Sequence, residues 1–300
     1  MKQGHSFIRS VSSISRQLSF IVFGGLIMTL SHGNSFAGEA VRRPAVAGQF
    51  YTDNPAELKK EVEGYLSKGP KNKPHPKMLI SPHAGFVFSG PVAGMGYATI
   101  DKKITTVIVI GPSHHEWFSG IAISDADSYA TPLGNVPLAK DLIGQLRKSA
   151  LVHIVPQADA PEHCLEVQLP FLQTLLPSFS IVPIITGKVD PEAVAQLLHP
   201  YLNPTTLVVA SSDLSHYKSS KEAKAIDGKT IQTVLSGNAS GFLDACGETA
   251  IRVVMRLAQK SGLSPELLDA RNSNETAPQY GPESRVVGYA SIAFFGGKKD

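Results

Sequence analysis

The sequence predicts an α/β protein with one domain built on a central, mostly parallel sheet flanked by helices. Three observations carry that prediction. Short apolar runs alternate along the chain with stretches of helical periodicity, the pattern of strand–helix–strand units. One run, Val107-Ile-Val-Ile110, is β-branched throughout, as suits a strand buried on both faces of a parallel sheet. Three runs also end abruptly in polar segments that carry histidine, and open α/β sheets place their ligands just past the carboxyl ends of their strands.

Residues 1–37 read as an export signal. Lys2, Arg9 and Arg16 precede an apolar run from Leu18 to Leu30, and Ser35-Phe-Ala37 follows at small-x-small spacing. The run is short and broken by Gly24 and Gly25, which disfavours a spanning helix. Cleavage removes three basic and no acidic residues, so residues 38–300 carry 25 of each sign. The neutral balance argues against nucleic acid or a membrane as partner of the mature chain. Export implies a periplasmic or secreted location.

Residues 38–300 are expected to form a single α/β domain, since no low-complexity linker divides them. Asp53-Asn-Pro55 starts a helix reaching about Leu66, with Pro55 as its first residue, and polar Lys68 to Lys77 is a surface loop. Strands are expected near Leu79, Val109, Ala122, Ile184, Val208 and Val287. Helices are expected over Lys140–Lys148, His163–Leu176, Pro191–Leu202, Lys221–Leu235 and Glu248–Gln259.

The chemistry concentrates at three strand ends: Ser81-Pro-His83-Ala-Gly85, Gly111-Pro-Ser-His114-His115 and Ser211-Ser-Asp213-Leu-Ser-His216. In one parallel sheet these ends converge, whereas His75, His153 and His199 lie in ordinary surface or core settings. Neutral imidazole is the commonest metal ligand, and several loops can supply one ion. The remaining ligand is open between Asp213, Glu162, Glu166 and Cys246. His163 and Glu166, three apart, could share a helix face near such a site, or simply form a solvated helix start.

Two cysteines, Cys164 and Cys246, in an exported chain would ordinarily pair. Cys246, however, precedes Gly247 and a helix start, a setting that lowers a thiol's pKa and favours a free thiolate. Cys164 reads as a small apolar filler. Ser211, Asp213 and His216 lie close enough in sequence to evoke a hydrolase triad, but triads are defined by geometry, so this is the weaker idea.

Five motifs resemble the Memo family in order and approximate spacing: Pro82-His83-Ala-Gly85, Gly111-Pro-Ser-His-His115, Glu162-His163 with Glu166 and Leu169-Pro170, Ser211-Ser-Asp213-x-x-His216, and Cys246-Gly247. The bacterial and archaeal members are often labelled AmmeMemoRadiSam system protein B. The likeness runs from about Arg42 to Phe295 and includes Ala47-Gly-Gln-Phe-Tyr51 and Arg285-Val-Val-Gly-Tyr-Ala290. It implies a fold similar to class III extradiol dioxygenases, non-haem iron enzymes that open catechol rings. It also implies metal ligands at His83, His114 and Cys246, with Asp213 and His216 lining the same pocket and His216 at the acid/base position.

A thiolate where the dioxygenases carry a carboxylate shifts metal preference toward copper, zinc or thiolate-ligated iron and adds an oxidisable group beside the ion. The leading expectation is therefore a metal-binding protein, holding iron or copper, with a possible redox role. A metal-dependent oxidoreductase acting on a small aromatic or related substrate is the first alternative. A non-catalytic scaffold that recognises a peptide or partner protein in the old pocket is the second.

Overall fold

The computed structural model describes residues 39–296, so the expected export signal lies outside the described residues. Among the described residues, no helix is long and apolar enough to cross a membrane. The strands are β1 (Val41–Arg42), β2 (Met78–Ser81), β3 (Thr106–Pro112), β4 (Ile121–Ile123), β5 (Ser128–Thr131), β6 (Gly134–Pro137), β7 (Val152–His153), β8 (Ser180–Thr186), β9 (Thr206–Ser211), β10 (His216–Lys218), β11 (Leu263–Asn272) and β12 (Val286–Gly296). The helices are α1 (Pro55–Leu66), α2 (Phe86–Tyr97), α3 (Lys140–Leu146), α4 (Pro156–Asp159), α5 (Leu169–Leu175), α6 (Pro191–Leu198), α7 (Ser220–Leu235), α8 (Glu248–Lys260) and α9 (Ser273–Thr276).

The main sheet runs β10-β12-β2-β9-β3-β8-β4-β7, with β11 paired to β12, and a small sheet joins β1, β5 and β6. Its centre is parallel: β2, β9, β3 and β8 pair in register through Met78↔Val208, Val109↔Val209 and Val109↔Pro183. Antiparallel strands flank it, β12 against β2 and β4 against β8. Val107 to Ile110 are buried on both sides, which is why this run shows no alternation of polar residues. In a parallel centre the carboxyl ends of β2, β3 and β9 share one edge, and the three histidine-bearing segments begin there.

The helices follow local chemistry. Asn54 caps α1 by accepting from the amides of Ala56 and Glu57 at 3.0 and 3.2 Å, and Pro55 supplies the preset first turn. Leu58 and Val62 bury the inner face of α1. A reciprocal capping box between Ser219 and Glu222 starts α7. Helix α8 lays its apolar face against β9, β3 and β2 and packs on α6, while α2 packs on β12 and β2 and joins α1 and α5.

Two differences from the sequence expectations have clear causes. The helix expected over His163–Leu176 begins only at Leu169, after a single 3-10 turn at Glu166–Gln168. Residues before that turn stay irregular because the Glu162 carboxylate captures the amides of His163 and Cys164 at 2.9 and 3.0 Å. His163 and Glu166 therefore do not share a helix face. Helix α6 likewise ends at Leu198, and the Pro200 segment continues as a 3-10 turn.

Candidate metal centre

Each of the three strand ends is held by backbone-directed hydrogen bonds. After β2, the amide of His83 donates to Asp213 Oδ1 at 2.8 Å, which ties the β2 exit to the β9 exit. After β3, the amide of His114 donates to Glu162 Oε2 at 2.8 Å, and its ring Nδ1 lies 2.8 Å from Glu162 Oε1. Beyond β9, the Ser215 amide donates to Asp227 on α7 at 3.0 Å, which fixes the entry to His216. The Nδ1 atom of His216 lies 2.8 Å from the Leu214 carbonyl oxygen.

Cys246 stands at the entrance to α8, just before its N-cap residue Gly247. Its Sγ stands 3.1 Å from His83 Nε2. Gly247 permits that approach, since a Cβ there would lie 2.6 Å from the Ser211 carbonyl oxygen and from Ser212 Cβ. The Gly247 amide donates to Ser212 Oγ at 2.9 Å. One ligand atom from each of His83, His114 and Cys246 lies within 4.8 Å of the other two. A tetrahedral ion with nitrogen bonds of about 2.0 Å and a sulfur bond of about 2.3 Å separates its ligand atoms by roughly 3.3–3.6 Å. His83 Nε2 and Cys246 Sγ, at 3.1 Å, already stand close to that spacing, and the His114 ligand atom lies within reach of both.

His163 completes an imidazole cluster. Its ring stacks on His114 at 4.6 Å between centroids and meets His83 edge-on at 5.4 Å, while His83 and His114 are 5.2 Å apart. His83, His114, His163, Asp213 and His216 all line one pocket of about 830 Å³, whose outer walls include Phe50, Phe88, Tyr217 and Tyr280. His115 is exposed on the loop beyond β3.

The electrostatics favour neutral imidazoles and one fixed carboxylate. Burial, reinforced by nearby His114, lowers His83 to about 3. Burial and the neighbouring His83 lower His163 to about 4. Burial alone would raise Glu162, but the hydrogen bonds and charge of His114 and the amide of Cys164 outweigh it and hold Glu162 below the usual carboxylate range. An ionised Glu162 accepts from His114 Nδ1–H, leaving Nε2 as a lone pair, the carboxylate–histidine arrangement seen behind metal ligands. Burial pushes Asp213 upward. Cys246 departs from the sequence expectation: burial, then the neighbouring Asp213, push its thiol up to about 12. The helix entrance is outweighed by desolvation and a nearby acid, so in the metal-free protein this group is a thiol.

Of the residues singled out in the sequence, His83, His114 and Cys246 come together, and Asp213 and His216 line the same pocket. Glu166, a candidate ligand on spacing, points elsewhere. Its buried carboxylate pairs with Arg42 at 2.8 Å and accepts the Tyr51 hydroxyl at 2.6 Å and the amides of Ala45 and Val46 at 2.6 and 3.0 Å. Glu162 stands behind His114 as its orienting group. Both cysteines are free thiols, and Cys164 is fully buried with Sγ 3.4 Å from the Pro112 carbonyl oxygen. The part played by His163 needed the fold, because only the turn around Glu162 brings its ring onto His114.

Fold and site together define an α/β protein with a candidate single-ion centre of two imidazoles and a thiol at the carboxyl edge of its sheet. The chain belongs to the Memo-like protein family, whose model matches residues 42–293. It is similar to a MEMO1 family protein of Sulfurisphaera tokodaii, 32% identical over 85% of this chain and 99% of that one. A MEMO1 family protein of Thermoplasma volcanium is 34% identical over 84% and 97% of the two chains, and one of Methanocaldococcus jannaschii is 34% identical over 84% and 98%. Among solved structures, an uncharacterized protein of Escherichia coli K12 is similar at 14% identity and a TM-score of 0.47, covering 73% of this chain and 99% of that one.

Proposed function

We propose that this chain is a metal-binding protein that holds one iron or copper ion between His83, His114 and Cys246, in a dioxygenase-like pocket with a redox role. The single observation that carries this reading is the meeting of those three ligand atoms within 4.8 Å. The donor set supports it: two imidazoles and a thiolate suit copper, thiolate-ligated iron or zinc better than hard cations such as magnesium. In the same reading residues 1–37 direct export, and the ion is acquired outside the cytoplasm.

The test is elemental analysis of protein purified from its native compartment. One ion of iron or copper per chain in the wild type, lost in Cys246→Ser and His83→Ala, is the expected result. Stoichiometric metal that survives both substitutions would contradict the assignment. Intact mass should place the mature start near Gly38, and a chain still beginning at Met1 in the soluble cytoplasm would contradict export.

A second reading, a metal-dependent oxidoreductase acting on a small aromatic substrate, is supported by the aromatic outer walls of the pocket and by His216. The Leu214 carbonyl oxygen only accepts, so His216 donates from Nδ1 and keeps Nε2 as a proton acceptor. In this reading His216 moves the proton, while Asp213 holds the His83 backbone in place. Dioxygen uptake with a panel of dihydroxylated aromatics, abolished in His216→Ala, is the expected outcome. A pocket that binds such compounds without uptake would leave only the metal-binding reading.

A further inference from the structure

The imidazole of His83 offers Nε2 as a lone pair only when its proton sits on Nδ1, and the groups buried behind it dictate that choice. Gln168 ends the 3-10 turn before α5, with its side-chain nitrogen 2.9 Å from the Pro82 carbonyl oxygen and 2.8 Å from Ser211 Oγ. A carbonyl oxygen only accepts, so this end of the amide is its NH2 group, and its second hydrogen serves Ser211. The amide oxygen accepts the Tyr97 hydroxyl at 2.7 Å, which locks the amide in that orientation.

Ser211 Oγ donates its one hydrogen to the Cys164 carbonyl oxygen at 2.6 Å. Only lone pairs remain for Gln168 and for His83, whose Nδ1 is 3.0 Å away. His83 must therefore donate from Nδ1 and present its Nε2 lone pair toward Cys246 Sγ. Tyr97, Gln168 and Ser211 are all fully buried, so bulk solvent offers no alternative partner. The other tautomer would set the Nδ1 lone pair against those of Ser211. If Ser211 turned to meet it, the Cys164 carbonyl oxygen would give up the Ser211 hydrogen bond in the interior, which costs free energy.

We propose that Tyr97, Gln168 and Ser211 form a neutral relay that sets the tautomer and orientation of His83. They are positioning residues for the metal centre, and in that respect the proposal rests on the reading of His83 as a ligand. The relay also makes the two imidazoles unequal. His114 is backed by the Glu162 carboxylate, which raises ligand basicity, whereas His83 is backed by an uncharged hydroxyl.

The experiment uses metal-free protein labelled with 15N-histidine, as wild type, Ser211→Ala and Gln168→Leu. Long-range proton–nitrogen correlation reads the His83 tautomer, and zinc titration against a chromophoric chelator reads affinity. The wild type should show the Nδ1–H form alone. Ser211→Ala should show mixed tautomers and about 10–100-fold weaker zinc binding, the size typical for loss of a group that orients a ligand, with Gln168→Leu moving both readouts in the same direction. Should Ser211→Ala fail to fold, Tyr97→Phe keeps the ring, frees the amide and should still blur the tautomer signal. An Nε2–H form in the wild type would overturn the relay. So would variants that keep both the wild-type tautomer and wild-type affinity. A wild type with the Nδ1–H form that binds no zinc would instead overturn the metal-binding reading and uphold the relay.

Discussion

At the scale of single residues, Cys246 and Cys164 separate two kinds of buried sulfur. Cys246 faces His83 Nε2 at 3.1 Å, whereas Cys164 fills space beneath Gly111, where even an added Cβ would meet its Sγ at 2.4 Å. Removing Cys246 should weaken metal affinity by at least about 100-fold, since it deletes a direct ligand rather than an orienting group. Cys164→Ala should leave affinity within a few-fold and cost on the order of 1–2 kcal/mol of stability as a small cavity. Competition titration and urea unfolding of the two variants read these effects separately. Because burial and Asp213 hold the Cys246 thiol up to about 12, ion uptake near pH 7.5 should release one proton per ion. Calorimetry in buffers of different ionisation enthalpy measures that proton, and Cys246→Ser should abolish it. Uptake by the wild type without proton release would show that the thiolate is not a ligand.

At the scale of elements, the strands buried on both faces were the most legible, because Met78–Ile80, Val107–Ile110 and Leu207–Ala210 carry no polar residue to blur the pattern. Those three strands are the basis for expecting His83, His114 and His216 at one pocket, and all three line it. Helix α2 was not legible. Phe86–Tyr97 is apolar nearly all round, holds Pro91, and carries Gly90, Gly94 and Gly96 where helix formers would be expected. Packing explains all three glycines: a Cβ at Gly90 or Gly94 would lie 2.5 or 2.7 Å from Tyr65 of α1, and one at Gly96 would lie 2.6 Å from Leu79 of β2. Gly94→Ala should therefore destabilise the fold by about 1–3 kcal/mol through overpacking, read by urea denaturation, and unchanged stability would refute the close approach of α1 and α2. Strand β11 was hidden by Pro265 and by Glu266 and Asp269, residues an edge strand tolerates on its solvent side. At the entrance to α8, Gly247→Ala should push Cys246 away from His83 and weaken metal binding while the helix persists, a combination that circular dichroism and metal titration together distinguish.

At the scale of the whole molecule, the buried imidazoles make the metal-free fold sensitive to acid. His83 titrates at about 3 and His163 at about 4, both below the ordinary 6.5 of histidine. As pH falls below 6.5 the unfolded chain takes up these protons and the native chain does not, so stability declines down to about pH 4 for His163 and about pH 3 for His83. Each group costs at most about 1.4 kcal/mol per pH unit within its window. Glu162 acts in the same direction lower down: its carboxylate is held below the usual range, so its stabilisation is present above about pH 4.5 and is lost as acid protonates it. Urea midpoints of metal-free protein should fall steadily from pH 6.5 to 4, and His163→Ala should flatten part of that slope. A midpoint constant across this range would contradict the burial of neutral imidazoles.

X-ray absorption at the edge of the metal that co-purifies with the protein reads the ligand set at the ion itself. The expected spectrum has one sulfur at about 2.3 Å beside nitrogen ligands at about 2.0 Å, with the sulfur lost in Cys246→Ser and retained in Cys164→Ala. A shell of light atoms alone in the wild type, or a sulfur shell that survives Cys246→Ser, would contradict a centre built from His83, His114 and Cys246.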